Sequence, residues 1–438
     1  MLDLNFIRDN LAAVEENIRH RHMKANPVEA LRLADQRSQL IQNLESKRSA
    51  RNENASKMKG RLDPELRQAL IDEGRGLKDE ITNLETQLAQ VESAFQSEMM
   101  RIPNMAHPAA PIGKLETDNP EIKRVGEPTT FDFAPKDHVQ LGESLDVVDF
   151  EAGTKVSGTK FYFLKNEGVF LELALVRYAL DFLVQRHFTP FITPDVAKEE
   201  ILTGIGFNPR GEESNIYPLE GTETCLVGTA EITLGGYYAN QIVDLSQGPI
   251  KMAGVSHCFR REAGAHGQFS KGLYRVHQFT KVEMFVCCRP EDSNALHEEL
   301  RTIEEDFFKS LEIPFRVVDT CTGDLGAPAY RKYDLEAWMP GRGDSGEWGE
   351  VTSTSNCTDF QSRRLGIRYK DEAGKNRPVH MLNGTAVAVS RALVALLENF
   401  QQKDGSVLLP KVLVPYCGFD KIPSLPRQGS ADNKTAKQ

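Results

Sequence analysis

The chain lacks the cysteine pattern of a metal or redox protein: its seven cysteines, Cys225, Cys258, Cys287, Cys288, Cys321, Cys357 and Cys417, form no C-x-x-C pair and no Cys/His ligand spacing. An odd number of scattered thiols suits a reducing compartment. Adjacent Cys287 and Cys288 cannot both face one metal from an extended strand, so they are expected to be ordinary strand residues. A long apolar run is missing too. The longest, Val169 to Val184, is broken by Glu172, Arg177 and Asp181, short of the roughly 20 clean residues a membrane span needs. No basic, apolar and small-residue succession opens the chain, so no secretory signal is expected and a cytoplasmic address follows by default. Nor is there an excess of positive charge. With 53 Lys and Arg against 63 Asp and Glu, the formal charge of −10 argues against a simple polyanion binder.

What is present is length and pattern. At 438 residues with 40% hydrophobic content, two or three domains with a large core are expected. Residues 1 to 102 have helical composition. Pro103 to Gly113 then packs three prolines into eleven residues, which predicts a linker, followed by a second domain over 114–426 and a polar, disordered tail over 427–438. Within the first region Leu70, Gly74, Leu77, Ile81, Leu84, Leu88, Val91 and Phe95 recur at spacings of four and three, a heptad seam. Leu33, Leu40 and Leu44 keep a weaker register, with Arg37 and Lys47 at the intervening seam positions, and the Gly60 to Pro64 stretch can reverse the chain between the two arms. The pattern predicts an antiparallel helical hairpin of about 30 residues per arm, projecting roughly 45 Å.

The arms differ in charge. Residues 32 to 61 hold eight Lys and Arg against three acids, and residues 62 to 100 hold three bases against nine acids. Opposite charges on facing helices stabilise a hairpin without further meaning. Alternatively the first arm, with Arg48, Arg51, Lys57, Lys59 and Arg61 toward the turn, is a basic rail for phosphates.

Three stretches carry candidate chemistry. A strand expected over Tyr274 to Cys288 puts Arg275, His277, Phe279, Lys281 and Glu283 on one face, against a mostly apolar face beginning at Tyr274, Val276 and Gln278. A second strand, Val255 to Glu262, would share that surface through Arg260 and Glu262. This is either a solvated sheet face or a nucleotide site, with guanidinium for phosphate and ring for base. Thr229-Ala230-Glu231 is expected to place a hydroxyl and a carboxylate on one strand face. Glu350-Val351-Thr352-Ser353 does likewise, and such hard oxygens suit Mg²⁺ shared with phosphates. Leu382 to Thr385 precedes a helix with Val389, Leu393, Leu396 and Phe400 as a buried stripe and Arg391 off it, in the second turn.

Together these motifs resemble the bacterial or organellar seryl-tRNA synthetases, class II aminoacyl-tRNA synthetases, over nearly the whole chain and in the family's order. Phe191 to Val196 resembles the first class II motif, which builds a dimer interface. Phe259 to Glu283 resembles the second and Gly384 to Arg391 the third, while Cys321 to Tyr330 and Glu350 to Arg364 are similar to parts of its serine and ATP site. The resemblance implies an α+β fold: the helical hairpin as a tRNA-binding arm, then a catalytic domain on an antiparallel β-sheet flanked by helices. It implies a serine-tRNA ligase using ATP and Mg²⁺, acting as a homodimer on tRNA(Ser) and, where such a tRNA exists, tRNA(Sec).

It also implies residue roles. Arg260, Glu262 and Arg391 are the catalytic candidates. Arg260 holds the α-phosphate, Glu262 with Arg261 orients the adenine, Phe279 stacks on it, and Arg275 and Arg391 hold the outer phosphates. Val276, Val351 and Thr352 complete the ATP site, and Glu350 and Ser353 are the Mg²⁺ ligands. Thr229, Ala230, Glu231, Glu283 and Thr385 line the serine pocket, and Arg48, Arg51, Lys57, Lys59 and Arg61 contact tRNA. The chain departs from the family's usual Ser-Gly at Thr385-Ala386, Gly at Ser390, Arg at Lys271, and Ser and Cys at Thr352 and Thr354; none of these removes a charged catalytic group. Other readings are a paralogue activating another small amino acid or loading a carrier protein, and an inactive coiled-coil interaction protein.

Overall fold

The computed structural model describes every residue except 61, 208–213, 263–270 and 425–438. It divides into two compact units, residues 1–105 and 106–438.

In the first unit two short helices, Leu4–Asp9 and Leu11–His20, precede the long helices α1 (Pro27–Lys57) and α2 (Pro64–Arg101). Each long helix opens on proline at its first position, where a missing N–H costs nothing, behind an Asn26 or Asp63 cap. Pro64 therefore starts the second arm rather than forming the turn. Leu33, Leu40 and Leu44 of α1 are buried, as are Leu70, Leu77, Ile81 and Val91 of α2. Gly74 has a steric reason for its seam position, since a Cβ there would lie 3.3 Å from Oδ1 of buried Asn54. The charges at the weak positions of α1 cross the hairpin: Arg37 pairs with Glu92 at 3.0 Å, Lys47 with Glu80 at 2.5 Å and Arg48 with Glu85 at 2.7 Å.

The second unit is built on an eight-stranded sheet. In chain order its strands are β1 (Glu121–Val125), β2 (Thr189–Ile192), β3 (Ile250–Phe259), β4 (Gln278–Cys288), β5 (Phe315–Asp319), β6 (Arg331–Met339), β7 (Glu347–Asn356) and β8 (His380–Ala388). They lie side by side as β1-β5-β6-β7-β8-β4-β3-β2, and every pair is antiparallel except β2 on β3 at one edge. Helices α3 (His138–Ser144), α4 (Glu167–Val184), α5 (Ala230–Gly236), α6 (Ser293–Ser310) and α7 (Val389–Asn399) position the site and cover the sheet.

Both faces of the central strands are buried, which overturns the solvated-face alternative. Val282, Met284, Val286 and Cys288 of β4 enter one apolar layer with α4, α6 and α7, while Phe285 and Cys287 enter the other with α5. The two cysteines sit on opposite sides of one strand, as alternation requires. Among residues 106–113, the His107 amide donates to the Tyr330 carbonyl at 2.7 Å, and the Pro111 carbonyl accepts from the Thr322 amide at 2.8 Å. The expected tail lies outside the described residues.

Candidate active site

The two expected strands of the second motif are shorter than their patterns suggest. β3 ends at Phe259 and β4 begins at Gln278, so Arg260, Glu262, Arg275 and Val276 lie beyond the ladder. Alternation therefore does not govern them. Glu262 adopts a φ of 49°, a left-handed conformation uncommon for a side chain of its size, and its carboxylate pairs with Arg275 at 3.4 Å. The Arg260 amide bonds the His277 carbonyl at 3.0 Å, closing the ladder one step past the strands. Its Nε donates to the Gly228 carbonyl at 3.2 Å, and its guanidinium lies 5.4 Å from the centre of the Phe279 ring.

An open cleft of about 570 Å³ gathers Arg260, Glu262, Arg275, Val276, Phe279, Glu350, Val351, Thr352, Ser353, Thr385 and Arg391. Two irregularities aim them. Between β6 and β7 the register slips at Val351, with Leu335 opposite Thr352 but Glu336 opposite Glu350. Between β4 and β8 it slips at Ala386, which brings Glu283 opposite Thr385. Arg261 does not line the cleft; its amide donates to the Asn215 carbonyl at 2.9 Å.

Arg391 occupies the first turn of α7, not the second, because β8 runs through Ala388 and the helix starts at Val389. It is the least buried residue of a helix otherwise buried along its length, so the expected narrow stripe is too modest a description. Its Nη1 bonds the Glu350 carbonyl at 2.9 Å and its guanidinium meets the Glu350 carboxylate at 3.2 Å. Burial pushes the Glu350 carboxyl up, but Arg391 first, then Lys332 and Arg260, outweigh it and bring it to about 2.

Thr229-Ala230-Glu231 is not strand. Thr229 caps α5, its Oγ1 accepting from the Glu231 amide at 3.2 Å, and Glu231 sits in the first turn. Gln361 Nε2 and Asn383 Nδ2 donate to Glu231 Oε1 at 2.8 and 3.0 Å. Burial, then the nearby charge of Glu283, raises the Glu231 carboxyl to about 7. Glu283 lies on the other wall, 2% exposed. Its Oε2 receives Thr229 Oγ1 at 3.3 Å and Thr385 Oγ1 at 3.4 Å, and it pairs with buried Lys281. The set expected to bind serine is thus one connected cluster that reaches the arginine-lined cleft through Thr385.

Sequence reasoning left several members unassigned. Lys281 shares the parity of Glu283 and was legible in that sense. Asn383 stood two residues before Thr385, but only the sheet register aims it at Glu231; Gln361 comes from a short helix, Phe360–Leu365, far away in the chain. Tyr274 donates from its hydroxyl to the Glu350 carbonyl at 3.2 Å, with Arg391 and Arg342 guanidinium groups 4.8 and 4.6 Å from its ring centre. Beneath the cluster, buried Glu304 accepts from Thr352 Oγ1 at 3.2 Å, and burial holds its carboxyl well above the usual range.

On the first unit, Arg48 is engaged with Glu85 and Lys57 with Glu53 at 3.2 Å. Arg51 and Lys59 make no ion pair among the described residues, and Arg61 lies outside them.

Residues 218–400 match the model of the tRNA synthetase class II core domain (G, H, P, S and T), and residues 1–106 match the seryl-tRNA synthetase N-terminal domain. The chain is 64% identical to a serine–tRNA ligase of Treponema denticola, over 96% of this chain and all of that protein. It is 56% identical to that of Borreliella afzelii, over 97% of this chain and 99% of that one. The crystal structure of seryl-tRNA synthetase from Pyrococcus horikoshii complexed with ATP superposes with a TM-score of 0.86 at 40% identity, covering 97% of this chain and 100% of that one. With both of its domains matched and relatives 56–64% identical along nearly its whole length, the chain belongs to the seryl-tRNA synthetase family of class II aminoacyl-tRNA ligases.

Proposed function

We propose that the protein activates L-serine with ATP to seryl-adenylate and transfers the seryl group to the 3′-terminal adenosine of tRNA(Ser), and of tRNA(Sec) where the cell has one. The observation that carries this reading is the pairing of two carboxylates, Glu231 and Glu283, with two hydroxyls, Thr229 and Thr385, at one end of an arginine-lined cleft. The carboxylates suit an ammonium and a small hydroxyl. Because both amide donors end on Glu231 Oε1, Oε2 is the oxygen available to a substrate cation.

In the first step a serine carboxylate oxygen attacks the α-phosphorus of ATP, forming the acyl-phosphate bond as the bond to pyrophosphate breaks. No protein nucleophile is needed; alignment and charge neutralisation suffice. Arg260 holds the α-phosphate between the Gly228 carbonyl and the Phe279 ring, Arg275 and Arg391 take the outer phosphates, and Phe279 and Glu262 receive the adenine. In the second step the terminal ribose hydroxyl of tRNA attacks the seryl carbonyl and AMP leaves.

Glu350 and Ser353 are the residues that would hold Mg²⁺. The described residues contain no cluster of three ligating side chains, and a single depressed carboxylate with one hydroxyl fits a cation held mainly by phosphates and water. When bound, Mg²⁺ supplies neutralisation of phosphate charge.

Arg51 and Lys59 are the cations of the first arm available for tRNA phosphates, with Arg48 and Lys57 able to exchange their partners for them. A homodimer is supported by exposed apolar residues on edge strand β2 and helix α4, with Ile192 89%, Leu173 60% and Phe170 55% exposed. No described helix is long and apolar enough to cross a membrane, and work in the cytoplasm fits the proposed substrates. The test is exchange of pyrophosphate into ATP, expected only with serine and Mg²⁺, and not with alanine or threonine. Absence of serine-dependent exchange would refute the proposal. Sedimentation should give twice the mass of one chain.

A further inference from the structure

His138 lies outside every motif of the cleft and its ring is 8% exposed. It begins α3, and its two ring nitrogens face different elements. Nε2 lies 3.2 Å from the backbone N–H of Leu273, which can only donate, so Nε2 is the unprotonated nitrogen. Nδ1 must then carry the proton, and it lies 2.8 Å from Oε1 of Glu398, near the end of α7. Glu398 is 1% exposed and fully engaged: its Oε1 also accepts from the His138 amide at 2.9 Å, and its Oε2 from the Gly341 amide at 2.8 Å. One tautomer of one imidazole therefore ties α7 to the turn Gly272–Tyr274.

Both tied elements carry cleft arginines. Arg391 begins α7. The turn leads directly into Arg275, and Tyr274 within it reaches Glu350 and lies beside the Arg391 guanidinium. The approach is close enough to dictate sequence. Gly272 has a φ of 61°, and a Cβ there would stand 2.2 Å from His138 Nε2 and 2.5 Å from Val139 Cγ2. Lys271 adds a second tie, its Nζ 2.6 Å from Asp137 Oδ2.

We propose that His138, oriented by Glu398, is a positioning residue for nucleotide binding: through the Leu273 amide it fixes the turn that sets Arg275 and Tyr274 against Arg391. This rests on the assignment of those arginines to the ATP phosphates. Serine binding is untouched by it, because Glu231, Glu283, Thr229 and Thr385 make no hydrogen bond or ion pair with α3 or the turn among the described residues.

The test compares His138→Ala and His138→Gln in the full-length protein by pyrophosphate exchange, with ATP and serine varied separately. His138→Ala should raise the KM for ATP roughly tenfold, the scale of a lost buried hydrogen-bond acceptor, and leave the KM for serine within about twofold. His138→Gln, whose side-chain oxygen can again accept from Leu273, should restore most of the ATP affinity. An unchanged KM for ATP, a parallel rise in both KM values, or no difference between Ala and Gln would overturn the proposal. Should His138→Ala fail to fold, hydrogen exchange of the Leu273 amide in the wild type decides: strong protection is expected, and free exchange refutes the bond. A wild type that exchanges pyrophosphate with serine while the variants behave alike sinks only this inference. A wild type inactive with serine sinks the functional reading itself.

Discussion

The raised carboxyl of Glu231 makes serine binding a proton-linked event with a calculable slope. With its value near 7, about one protein in eleven carries the ionised form at pH 6 and about ten in eleven at pH 8. A substrate ammonium is attracted to the ionised form, so serine binding should tighten about tenfold across that interval and level off above it. Near pH 7 each serine bound should release about half a proton. The linked stability runs the other way. A carboxyl whose folded value exceeds the unfolded 4.5 is favourably protonated in the fold below that window, and it loses stability as pH rises from about 4.5 to 7. The full shift corresponds to about 3 kcal/mol, and partial exposure of Glu231 reduces this to about 1–2 kcal/mol.

Calorimetry of serine binding without nucleotide, in buffers of differing ionisation enthalpy, reads both the affinity and the proton released. Glu231→Gln should weaken serine by about a hundredfold, the loss of a charge-assisted bond, and abolish both pH slopes. Serine affinity that is flat from pH 6 to 8, or a slope that survives in Glu231→Gln, would refute the assignment.

Other consequences are open to simpler assays. Replacing Glu350 with Gln should raise the Mg²⁺ concentration needed for half-maximal exchange several-fold, since it deletes the one carboxylate assigned to the cation; an unchanged requirement would remove Glu350 from that role. Reversing Arg51 and Lys59 to Glu should spare pyrophosphate exchange while weakening tRNA charging and lowering its salt dependence by about one for each phosphate no longer neutralised, whereas equal loss of both steps would contradict a separate tRNA arm. Ile81→Ala, at a seam position 4% exposed, should cost about 2–4 kcal/mol and lower the melting temperature of the first unit, with adenylate formation retained. All seven cysteines are buried, and burial pushes Cys287 up to about 12, so a maleimide should label them only on unfolding; rapid labelling of the native protein would contradict that packing.

The hairpin was legible because its information is local and repeated: Leu70, Leu77, Ile81 and Val91 announce their burial by spacing alone. Its charge was legible only as a sum. The excess of base on the first arm is distributed unevenly, with Arg37, Lys47 and Arg48 answering Glu92, Glu80 and Glu85 across the hairpin. The hairpin-stabilising reading thus holds for those three residues, and sequence could not single them out because pairing depends on which turns of α1 and α2 face each other.

In the catalytic unit, alternation identified β4 and placed Cys287 and Cys288 correctly, yet it could not decide whether the face carrying Lys281 and Glu283, which is buried, was solvated. A run of charged residues on one parity resembles a solvated face until the covering elements are known. Here those elements are α5 and the short helix bearing Gln361, neither of them a sequence neighbour of β4. Element ends account for the misplacement of Arg260, Glu262 and Arg275 on strands and of Arg391 in a second turn, since each lies just outside a regular element or at its first turn. Period-2 and period-3.6 arguments stop at element ends, and the groups aimed into the cleft are found at those ends and at the bulges of Val351 and Ala386. Alternation keeps a strand's side chains perpendicular to the sheet, whereas a ligand lying over its edge needs guanidinium groups and carboxylates turned out of that order. The left-handed backbone of Glu262 is one instance of that turning. The tautomer-specific tie from His138 to Leu273 holds another such end in place, and it joins residues 135 positions apart.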